Sequence, residues 1–587
     1  MKRWISVVAA LALALVTQQA NAQPTPDTLN VVKPVASCAS LSDVDLNEIG
    51  GDGSTVTAAV ETTSDGVKVC SVKGSLAPAI NFQVLLPIDS WTQRYLQVGC
   101  GGLCGQITLR SGASDSCKVL NDGGFVMAAT DMGHSGGMMN DGSWGLDDQK
   151  RVDFAYRAQH LTSEAAKTLI KIFYGQPQQY AYFNGCSDGG REALMEAMRF
   201  PNDFDGIIAG APAMLFQVQN TLYHAWQANA NTDANGKVIL LADRLPLLHK
   251  AAIKACDTLD GAKDGLIANP AACHFDLATI TCAANATDTS ACLIPAEADV
   301  ARKFYTGPQD PKTGAYLTAG QPQYGSELEW AGVYVADKAD GSLMSTNAAL
   351  PVIRYLAFKQ PQPDATLASF SFSEATLDAL RTRHSLFDAT NPDLSAFEQS
   401  GGKLIMWHGL ADPHISPANT VALHKAMIAQ MGRKAVQGFE RLYLLPGVAH
   451  CGNGQGPSNL DLLTPMMSWV EGHNAPDAVM THSASQSSDF GTPRFGSNVA
   501  GDTPPKDAMR GDNTKGEKQR RKPPMAQQSS LPTMSRPVYP YPAITHYTGI
   551  GDVNDAANWV KGDAAEIVHL RAWPGSNLFT PYTFSNQ

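Results

Sequence analysis

Ser187 lies at the centre of a pentapeptide that is suited to nucleophilic catalysis. Gly185, Ser187 and Gly189 form a G-x-S-x-G motif, in which a strand turns sharply into a helix and holds the serine hydroxyl clear of the sheet. The N–H of Asp188 then comes at a helix N-terminus, where it can stabilise an oxyanion. An ordinary glycine-rich turn is the alternative, but the strand-like residues before the motif and the helical pattern after it favour the catalytic interpretation.

Asp412 and His450 supply the other two groups that acyl transfer by a serine requires. Each follows a predicted strand, residues 403–407 in one case and 441–445 in the other. Both side chains are therefore expected at the C-terminal edge of an open parallel sheet, where such sheets assemble their sites. The order Ser, Asp, His along the chain is that of α/β-hydrolases and differs from the orders in chymotrypsin-like and subtilisin-like enzymes.

The residues before Ser187 predict the start of a parallel α/β sheet. Residues 94–98 and 124–130 have the composition of strands, and residues 161–174 have the periodicity of an amphipathic helix, with Thr162 or Ser163 as its N-cap. Alternating strands and helices indicate an α/β protein with a parallel sheet.

A glycine-rich loop, residues 99–105, follows the first of these strands. An α/β-hydrolase places its second oxyanion donor in such a loop, because only glycine lets the backbone approach a reacting carbonyl closely. A plain turn is the alternative. His134, at the end of the second predicted strand, is a second candidate for the base, although a histidine at that position is more often structural.

The pattern changes along the chain in a way that predicts a large insertion. Residues 211–399 lose the strand alternation and are expected to form a lid over the active edge of the sheet. The catalytic domain, with an α/β-hydrolase fold, then comprises residues 35–210 and 400–587. Residues 485–535 are too poor in apolar side chains to pack, which predicts a long mobile loop.

The first 22 residues predict export. A basic start is followed by an apolar stretch at residues 4–16 and an A-x-A site at residues 20–22, which together are typical of a cleaved secretory signal peptide. The apolar stretch is shorter than the roughly 20 residues that a membrane-spanning helix needs. A secreted or periplasmic protein is therefore expected.

Composition limits the classes of partner. The formal charge of −11 and the isoelectric point of about 5.7 argue against nucleic acid or an anionic membrane as the main partner. Eleven cysteines in an exported chain can form disulfide bonds, and the odd number leaves at least one of them out of any internal pairing. The pairing does not follow from sequence alone.

Within the predicted lid, an acidic loop could hold a cation. Asp257, Asp260 and Asp264 are separated by intervals of three and four residues, and a glycine follows each of the last two. Such a loop can fold round a hard cation, with backbone carbonyls completing an oxygen shell, although the spacing is not that of an EF-hand. Taken alone, a solvated Asp-Gly turn is the favoured alternative.

These motifs together resemble the tannase and feruloyl esterase family, which also contains mono(2-hydroxyethyl) terephthalate hydrolase. The most specific feature is a cysteine directly before the nucleophile, Cys186-Ser187, together with a cysteine directly after the base, His450-Cys451. The resemblance extends over most of the chain that follows the predicted signal peptide. It is carried by residues 99–105, 129–134, 185–190, 256–266, 408–412, 446–451 and 536–542.

The resemblance implies a role for each candidate residue. The implied set is Ser187 as nucleophile, His450 as general base and later acid, Asp412 as the residue that orients His450, and an oxyanion hole formed by the N–H of Asp188 and that of Gly101 or Gly102. The implied disulfide bonds are Cys186–Cys451, Cys256–Cys273, Cys282–Cys292 and Cys38–Cys70, with one more bond and one free thiol among Cys100, Cys104 and Cys117.

The resemblance also reverses the preference for the acidic loop. The implied calcium ligands are the side chains of Asp257, Asp260 and Asp264 and the carbonyls of Ala262 and Leu266. Two departures concern the C-terminal region: Tyr539 and Lys561 stand where the family often has a pair of cysteines, and the basic, proline-rich stretch near residues 500–530 is longer than usual.

The expected function is that of a serine esterase acting on a small-molecule ester of an aromatic acid, of the feruloyl, hydroxycinnamoyl or galloyl type. The alternative substrate is mono(2-hydroxyethyl) terephthalate. The free carboxylate of this ester would require an arginine, for which Arg354 and Arg381 are candidates. The alternative from another class is a non-catalytic, calcium-dependent binding protein on a hydrolase scaffold.

Overall fold

The computed structural model describes residues 26–110, 112–137, 139, 141–483 and 533–585. The predicted signal peptide and all but the last three residues of the predicted mobile loop lie outside the described residues. Within the described ranges, no helix is both long and apolar enough to cross a bilayer.

A nine-stranded mixed sheet forms the centre of the molecule. Its spatial order is β1-β2-β3-β5-β4-β6-β7-β8-β9. The three pairs β1–β2, β2–β3 and β3–β5 are antiparallel, and the remaining neighbours are parallel. Its strands are β1 Thr55–Ser64, β2 Val67–Leu76, β3 Ile80–Pro87, β4 Arg94–Val98, β5 Phe125–Thr130, β6 Tyr180–Cys186, β7 Gly206–Gly210, β8 Lys403–Gly409 and β9 Glu440–Leu445.

The parallel strands are short apolar runs because both faces of this part of the sheet are covered. Every residue of β4 and of β5 is buried. Alternate strand residues divide between two hydrophobic cores, and each core also contains helix residues. One core includes Tyr95, Phe183, Ile207, Leu404 and Leu169, and the other includes Leu96, Tyr182, Ile208, Ile405 and Met466.

The first three strands were missed by the sequence analysis. β1 and β2 form a hairpin whose turn residues, Asp65 and Gly66, both have positive φ, 49° and 82°. An Asp-Gly pair between two strand-like runs is a strong hairpin signal. β1 lies at the edge of the sheet, and many of its residues are exposed. Its sequence therefore lacks a clear alternation of apolar and polar residues.

The helices that flank the sheet lie before and after the insertion. Those before it are Asn47–Gly50, Lys118–Asn121, Asp148–Val152, Ala158–Tyr174 and Asp188–Arg199, and those after it are Pro417–Met431, Arg433–Phe439 and Leu463–Gly472.

The helix predicted at residues 161–174 begins earlier than expected. A π-helical turn, Asp153–Arg157, joins Ala158–Tyr174 to the preceding Asp148–Val152. The N-cap is Asp147, whose side chain accepts hydrogen bonds from the N–H groups of Gln149 and Lys150. Thr162 and Ser163 are buried inside the helix. The prediction of either as N-cap was wrong because the helical residues begin at Asp148, well before the apolar pattern, and the carboxylate of Asp147 caps them there.

Residues 211–402, all of which the structure describes, form helices and turns with no strand of the large sheet. A separate core packs Phe304, Trp330 and Tyr334 against one another. The α-helices of this region, the predicted lid, are Phe216–Val218, His224–Ala230, Leu245–Cys256, Pro295–Thr306, Met344–Tyr355, Glu374–Leu380, His384–Phe387 and Ser395–Gln399.

Two small sheets complete the C-terminal region. One pairs β10 (Asn459–Leu460), β11 (Val479–His482) and β12 (Ser535–Val538), and the other pairs β13 (Ala543–Tyr547) with β14 (Trp559–Ala564). The predicted mobile loop therefore ends one residue too late, because Ser535 already belongs to β12. The Nζ atom of Lys561 lies 5.9 Å from the ring centre of Tyr539, so a cation–π contact joins the two positions that the resemblance associates with a disulfide.

Candidate active site

The turn at Ser187 has the geometry of a nucleophile elbow. Ser187 has φ 64° and ψ −122°, which an L-residue adopts only when its surroundings hold it there. Its N–H donates to the carbonyl of Gly210 at 3.0 Å, and its carbonyl accepts from the N–H of Ala213 at 2.9 Å. A Cβ on Gly185 would lie 2.2 Å from the carbonyl oxygen of Gly189, so a side chain there would clash with the helix.

Backbone hydrogen bonds connect the loop after β8 to the loop after β9. The N–H of Leu410 donates to Leu445 O, and that of Ala411 donates to Val448 O, both at 2.9 Å. These bonds bring Asp412 beside His450, with Asp412 Oδ2 2.8 Å from His450 Nδ1. Two residues that are 38 positions apart in the chain therefore form one hydrogen-bonded pair.

Asp412 is fully buried and has a partner for each of its oxygens. Oδ1 accepts from the N–H groups of His414 at 2.7 Å and Ile415 at 3.0 Å, and Oδ2 also accepts from Nε2 of His408 at 3.1 Å. Burial alone would raise the pKa of Asp412, but His450 and His408 outweigh it and hold the pKa below its usual range. An ionised Asp412 can accept a hydrogen bond from Nδ1 of His450, which leaves Nε2 as the ring nitrogen available to another partner.

A disulfide bond joins the turn that carries Ser187 to the loop that carries His450. It links Cys186 to Cys451 across 265 positions, with their Cα atoms 5.8 Å apart. Ser187 and His450 are the adjoining residues, and both line one cavity of about 250 Å³.

The cavity contains the remaining predicted groups. Gly101, Gly102 and Asp188, the residues that the sequence analysis nominates for an oxyanion hole, line it. The wall is mainly uncharged: Met139, Ala213, Phe216, Gln219, Asn220, His224, Met344, Asn347, Ala348, His414 and Ile415. No lysine or arginine is among the described residues that line it.

The family model for tannase and feruloyl esterase matches residues 64–561, which is most of the chain. The chain belongs to the tannase and feruloyl esterase family. It is a carboxylic ester hydrolase with an α/β-hydrolase fold. The family assignment favours an enzyme over the alternative of a non-catalytic binding protein.

Relatives of this esterase include bacterial and fungal enzymes. A mono(2-hydroxyethyl) terephthalate hydrolase of Piscinibacter sakaiensis is 29% identical over 89% of this chain and 91% of its own length. A probable feruloyl esterase of Arthroderma benhamiae is 30% identical over 70% of this chain and 78% of its own length. Among solved structures, feruloyl esterase B of Aspergillus oryzae has a TM-score of 0.70 at 24% identity, covering 89% of this chain and 100% of that one.

Two histidines of the esterase's cavity were missed by the sequence analysis. The ring centre of His414 lies 4.7 Å from that of His450, and His224 follows at 5.9 Å from His414. Burial, and then the electrostatic effect of the neighbouring His450, lowers the pKa of His224 to about 3 and lowers that of His414 as well, so both are neutral. The position of His414 two residues after Asp412 was the available signal; His224 had none.

The three other candidates lie elsewhere in the esterase. His134 is buried, its Nε2 lies 2.7 Å from the carbonyl oxygen of Leu103, and its ring stacks on Trp144. It does not line the cavity, so the geometry supports a structural role. Arg354 and Arg381 do not line the cavity either. Their nomination as carboxylate partners was wrong because neither lines the cavity; their guanidinium groups bond instead to carbonyls of Ala365 and Pro574.

The acidic loop of the lid is curved by its own hydrogen bonds. Asp257 Oδ1 accepts from the N–H groups of Asp264 and Gly265, and Asp260 Oδ1 accepts from the N–H of Ala262. Asp264 Oδ2 accepts from Arg536 at 2.7 Å in a buried ion pair. The three aspartates are not among the groups of described residues whose ligand atoms lie within 4.8 Å of one another.

Five disulfide bonds are present among the described residues. They include the four implied by the family resemblance and a fifth that the sequence left open: Cys38–Cys70, Cys186–Cys451, Cys256–Cys273, Cys282–Cys292 and Cys100–Cys104. Cys117 is the free thiol, and burial raises its pKa to about 11, so the unreactive thiol form prevails.

Proposed function

We propose that this esterase is exported and hydrolyses esters of uncharged aromatic acids, of the feruloyl, hydroxycinnamoyl or galloyl type, through an acyl-enzyme on Ser187. One observation supports the proposal above all. Ser187 and His450 line the same cavity, and Oδ2 of Asp412 lies 2.8 Å from Nδ1 of His450. This is the arrangement that nucleophilic catalysis by serine needs.

In the proposed mechanism, Nε2 of His450 takes the proton of the Ser187 hydroxyl as its oxygen attacks the ester carbonyl. Asp412 stabilises the imidazolium through the bond to Nδ1. Collapse of the tetrahedral intermediate releases the alcohol, which receives the proton from His450. Water, activated by the same imidazole, then attacks the acyl-enzyme and releases the acid.

The proposed oxyanion hole consists of the N–H of Asp188 and that of Gly101 or Gly102. The N–H of Asp188 is at the first position of the helix Asp188–Arg199, where no intrahelical acceptor exists for it. Its side chain is paired with Arg191 through two bonds of 2.7 and 2.9 Å, which keeps the carboxylate away from the developing negative charge.

Hydrolysis of mono(2-hydroxyethyl) terephthalate remains the alternative function, because one relative carries that name. The composition of the cavity argues against it. A free carboxylate on the ring would enter a space lined by neutral side chains, with His224 and His414 uncharged. Burying a carboxylate without a cationic partner is unfavourable. Neutral acyl groups are therefore the preferred substrates in this proposal.

We expect methyl ferulate and methyl gallate to be cleaved with kcat/KM at least about 10-fold above that for mono(2-hydroxyethyl) terephthalate, since an unpaired buried charge costs more than about 1.4 kcal/mol. Initial-rate kinetics on purified protein provide the measurement. The matched control is the same terephthalate ester with its free carboxylate methylated, which should be cleaved faster than the monoester. A preference for the charged monoester would support the alternative function.

The proposed export depends on residues 1–22, whose pattern is that of a signal peptide. The five disulfide bonds among the described residues are consistent with an oxidising compartment.

We also propose that the acidic loop binds a structural calcium ion. Asp260 is 2% exposed, and a buried carboxylate needs a compensating charge. The ligands would be the side chains of Asp257, Asp260 and Asp264 and the carbonyls of Ala262 and Leu266, an oxygen set that suits calcium. Coordination by all three carboxylates requires at least one of them to turn from its present position, since they do not converge on one point.

Chelation is expected to lower Tm of the wild-type protein by about 2 to 5 °C, because an ion that binds only the folded state stabilises it. Thermal unfolding with and without a chelator provides the measurement, and added Ca²⁺, but not Mg²⁺, should restore Tm. An Asp260→Ala variant should not respond to the chelator. The control is Asp276→Ala, which removes a turn-capping aspartate of the lid outside the loop and should respond like wild type. A wild-type Tm that does not change would contradict the proposal.

A further inference from the structure

A disulfide bond closes the glycine loop that lies beside Ser187. It joins Cys100 to Cys104, so Gly101 and Gly102 stand inside a ring of five residues. Within the ring, the N–H of Cys104 donates to the carbonyl of Gly101 at 3.0 Å. Both glycines line the cavity. The two candidate oxyanion donors therefore lie within the shortest disulfide loop among the described residues.

The length of this loop indicates a local role for the bond. Loop-closure entropy grows with the number of residues enclosed, and this bond has a sequence separation of 4, compared with 265 for Cys186–Cys451. It is therefore the disulfide with the least capacity to stabilise the whole fold by constraining the unfolded chain. What it constrains is the backbone between its two cysteines.

One buried carboxyl group contacts the same loop. Glu192 lies on the helix that follows Ser187 and is 2% exposed. Its Oε2 accepts from the N–H of Cys100 at 3.2 Å and from Nε2 of Gln159. Its Oε1 lies 2.9 Å from Sγ of Cys100 and 3.2 Å from Sγ of Cys104. The carboxyl thus touches the loop at its backbone and at both sulfurs.

The protonation state of Glu192 explains how these contacts are satisfied. Burial, and then the nearby carboxylate of Asp188, raises the pKa of Glu192 well above its usual range. A neutral carboxyl group has one O–H donor and one carbonyl acceptor. Disulfide sulfurs carry no proton, so the O–H of Glu192 is the donor toward them, while the other oxygen accepts from Cys100 and Gln159.

The loop and the nucleophile's turn are also in direct backbone contact. A Cβ on Gly99 would lie 2.6 Å from Cα of Gly189, and one on Gly189 would lie 2.8 Å from the carbonyl oxygen of Cys100. Since Glu192 comes from the helix that begins at the turn, we expect a change in its contact with Cys100 to move the loop relative to Ser187.

We propose that Glu192 and the Cys100–Cys104 disulfide are positioning groups that hold the oxyanion-donating N–H of the glycine loop at its working distance from Ser187. Neither group touches the substrate. The inference rests on the proposed function, because it presumes acyl transfer at Ser187 with an oxyanion donor in this loop. It adds two groups that act through the backbone of Gly101 and Gly102.

Steady-state kinetics with methyl ferulate test this role. Glu192→Leu and the double variant Cys100→Ser/Cys104→Ser are expected to lower kcat by about 10- to 100-fold and to change KM by less than about two-fold, because a displaced donor weakens transition-state binding more than substrate binding. Glu192→Gln retains an acceptor and a donor at the same place and is expected to restore most of kcat.

Two control variants separate positioning from general destabilisation. Glu196→Leu removes another buried carboxyl from the same helix, one turn further on, where it faces Asp203 and not the loop. Cys282→Ser/Cys292→Ser removes another short disulfide, located in the lid. Both controls should keep kcat within about two-fold of wild type, whatever their effect on Tm.

Several outcomes would overturn the inference. These are an unchanged kcat in folded Glu192→Leu or in the double cysteine variant, a loss confined to KM, or an equal loss in the controls. If Glu192→Leu does not fold, the double cysteine variant decides. Alkylation of Cys100 and Cys104 in unreduced protein, read by peptide mass spectrometry, would also overturn it. A wild-type protein that cleaves no aromatic ester would instead refute the proposed function, and this inference with it.

Discussion

Replacing Ser187 with alanine is expected to lower kcat for methyl ferulate by at least about 10⁴-fold, because no other group in the cavity can form the acyl-enzyme. The fold should persist, since the turn is held by backbone hydrogen bonds that do not involve the hydroxyl. Initial rates at saturating substrate provide the measurement, and Tm should stay within a few degrees of wild type.

The effects of substitutions at Ser187 and His450 on kcat are expected to be non-additive. Ser187 and His450 would act as one unit, so the double variant Ser187→Ala/His450→Ala should be about as slow as either single variant. The residual rate above the uncatalysed reaction would then come from the oxyanion hole and binding. Retention of more than about a tenth of wild-type kcat by Ser187→Ala would remove the nucleophile assignment.

The second large effect is expected at Asp412. An Asp412→Asn substitution should lower kcat by about 10⁴-fold, because a neutral amide neither fixes the proton of His450 on Nδ1 nor stabilises the imidazolium. The change is nearly isosteric, which preserves the bonds that Oδ1 accepts from the N–H groups of His414 and Ile415. The measurement is kcat, with Tm as the check on folding.

Asp131 offers a matched control for this substitution. It is also a buried aspartate directly after a strand of the same sheet, and it also accepts hydrogen bonds from backbone N–H groups, those of Asn81 and Gly133. It does not contact His450. Asp131→Asn should therefore keep kcat near the wild-type value. An equal loss in both variants would show that Asp412 acts only through stability.

The disulfide between Cys186 and Cys451 has a different task from the one that closes the glycine loop. Because it spans 265 positions, loop closure alone can contribute about 5 kcal/mol to stability. It also joins the neighbours of Ser187 and His450, which approach each other from different strands. One bond thus combines global stability with local geometry.

The sequence alone was enough for most of the parallel half of the sheet, although β7 was missed. The strands β4, β5, β6, β8 and β9 were predicted from apolar runs, because a strand buried on both faces needs continuous hydrophobicity. The antiparallel strands β1 to β3 were missed; exposed residues weaken that signal in the edge strand β1, whereas β3 is almost wholly buried. The start of the helix before Ser187 was missed as well, because its cap, Asp147, lies before the apolar pattern begins.

For the candidate site, the sequence by itself determined which groups are present: Ser187 in its glycine turn, Asp412 and His450 after strands, and a glycine loop. These are local patterns, because each depends only on residues that are close together in the chain. Only the tertiary structure decided what surrounds them. Glu192 contacts Cys100, which is distant in sequence. The cavity wall is also assembled from distant elements, and it contains the neutral His224 and His414 but no cationic side chain among the described lining residues. Burial and charge depend on packing in three dimensions, which no single stretch of sequence contains.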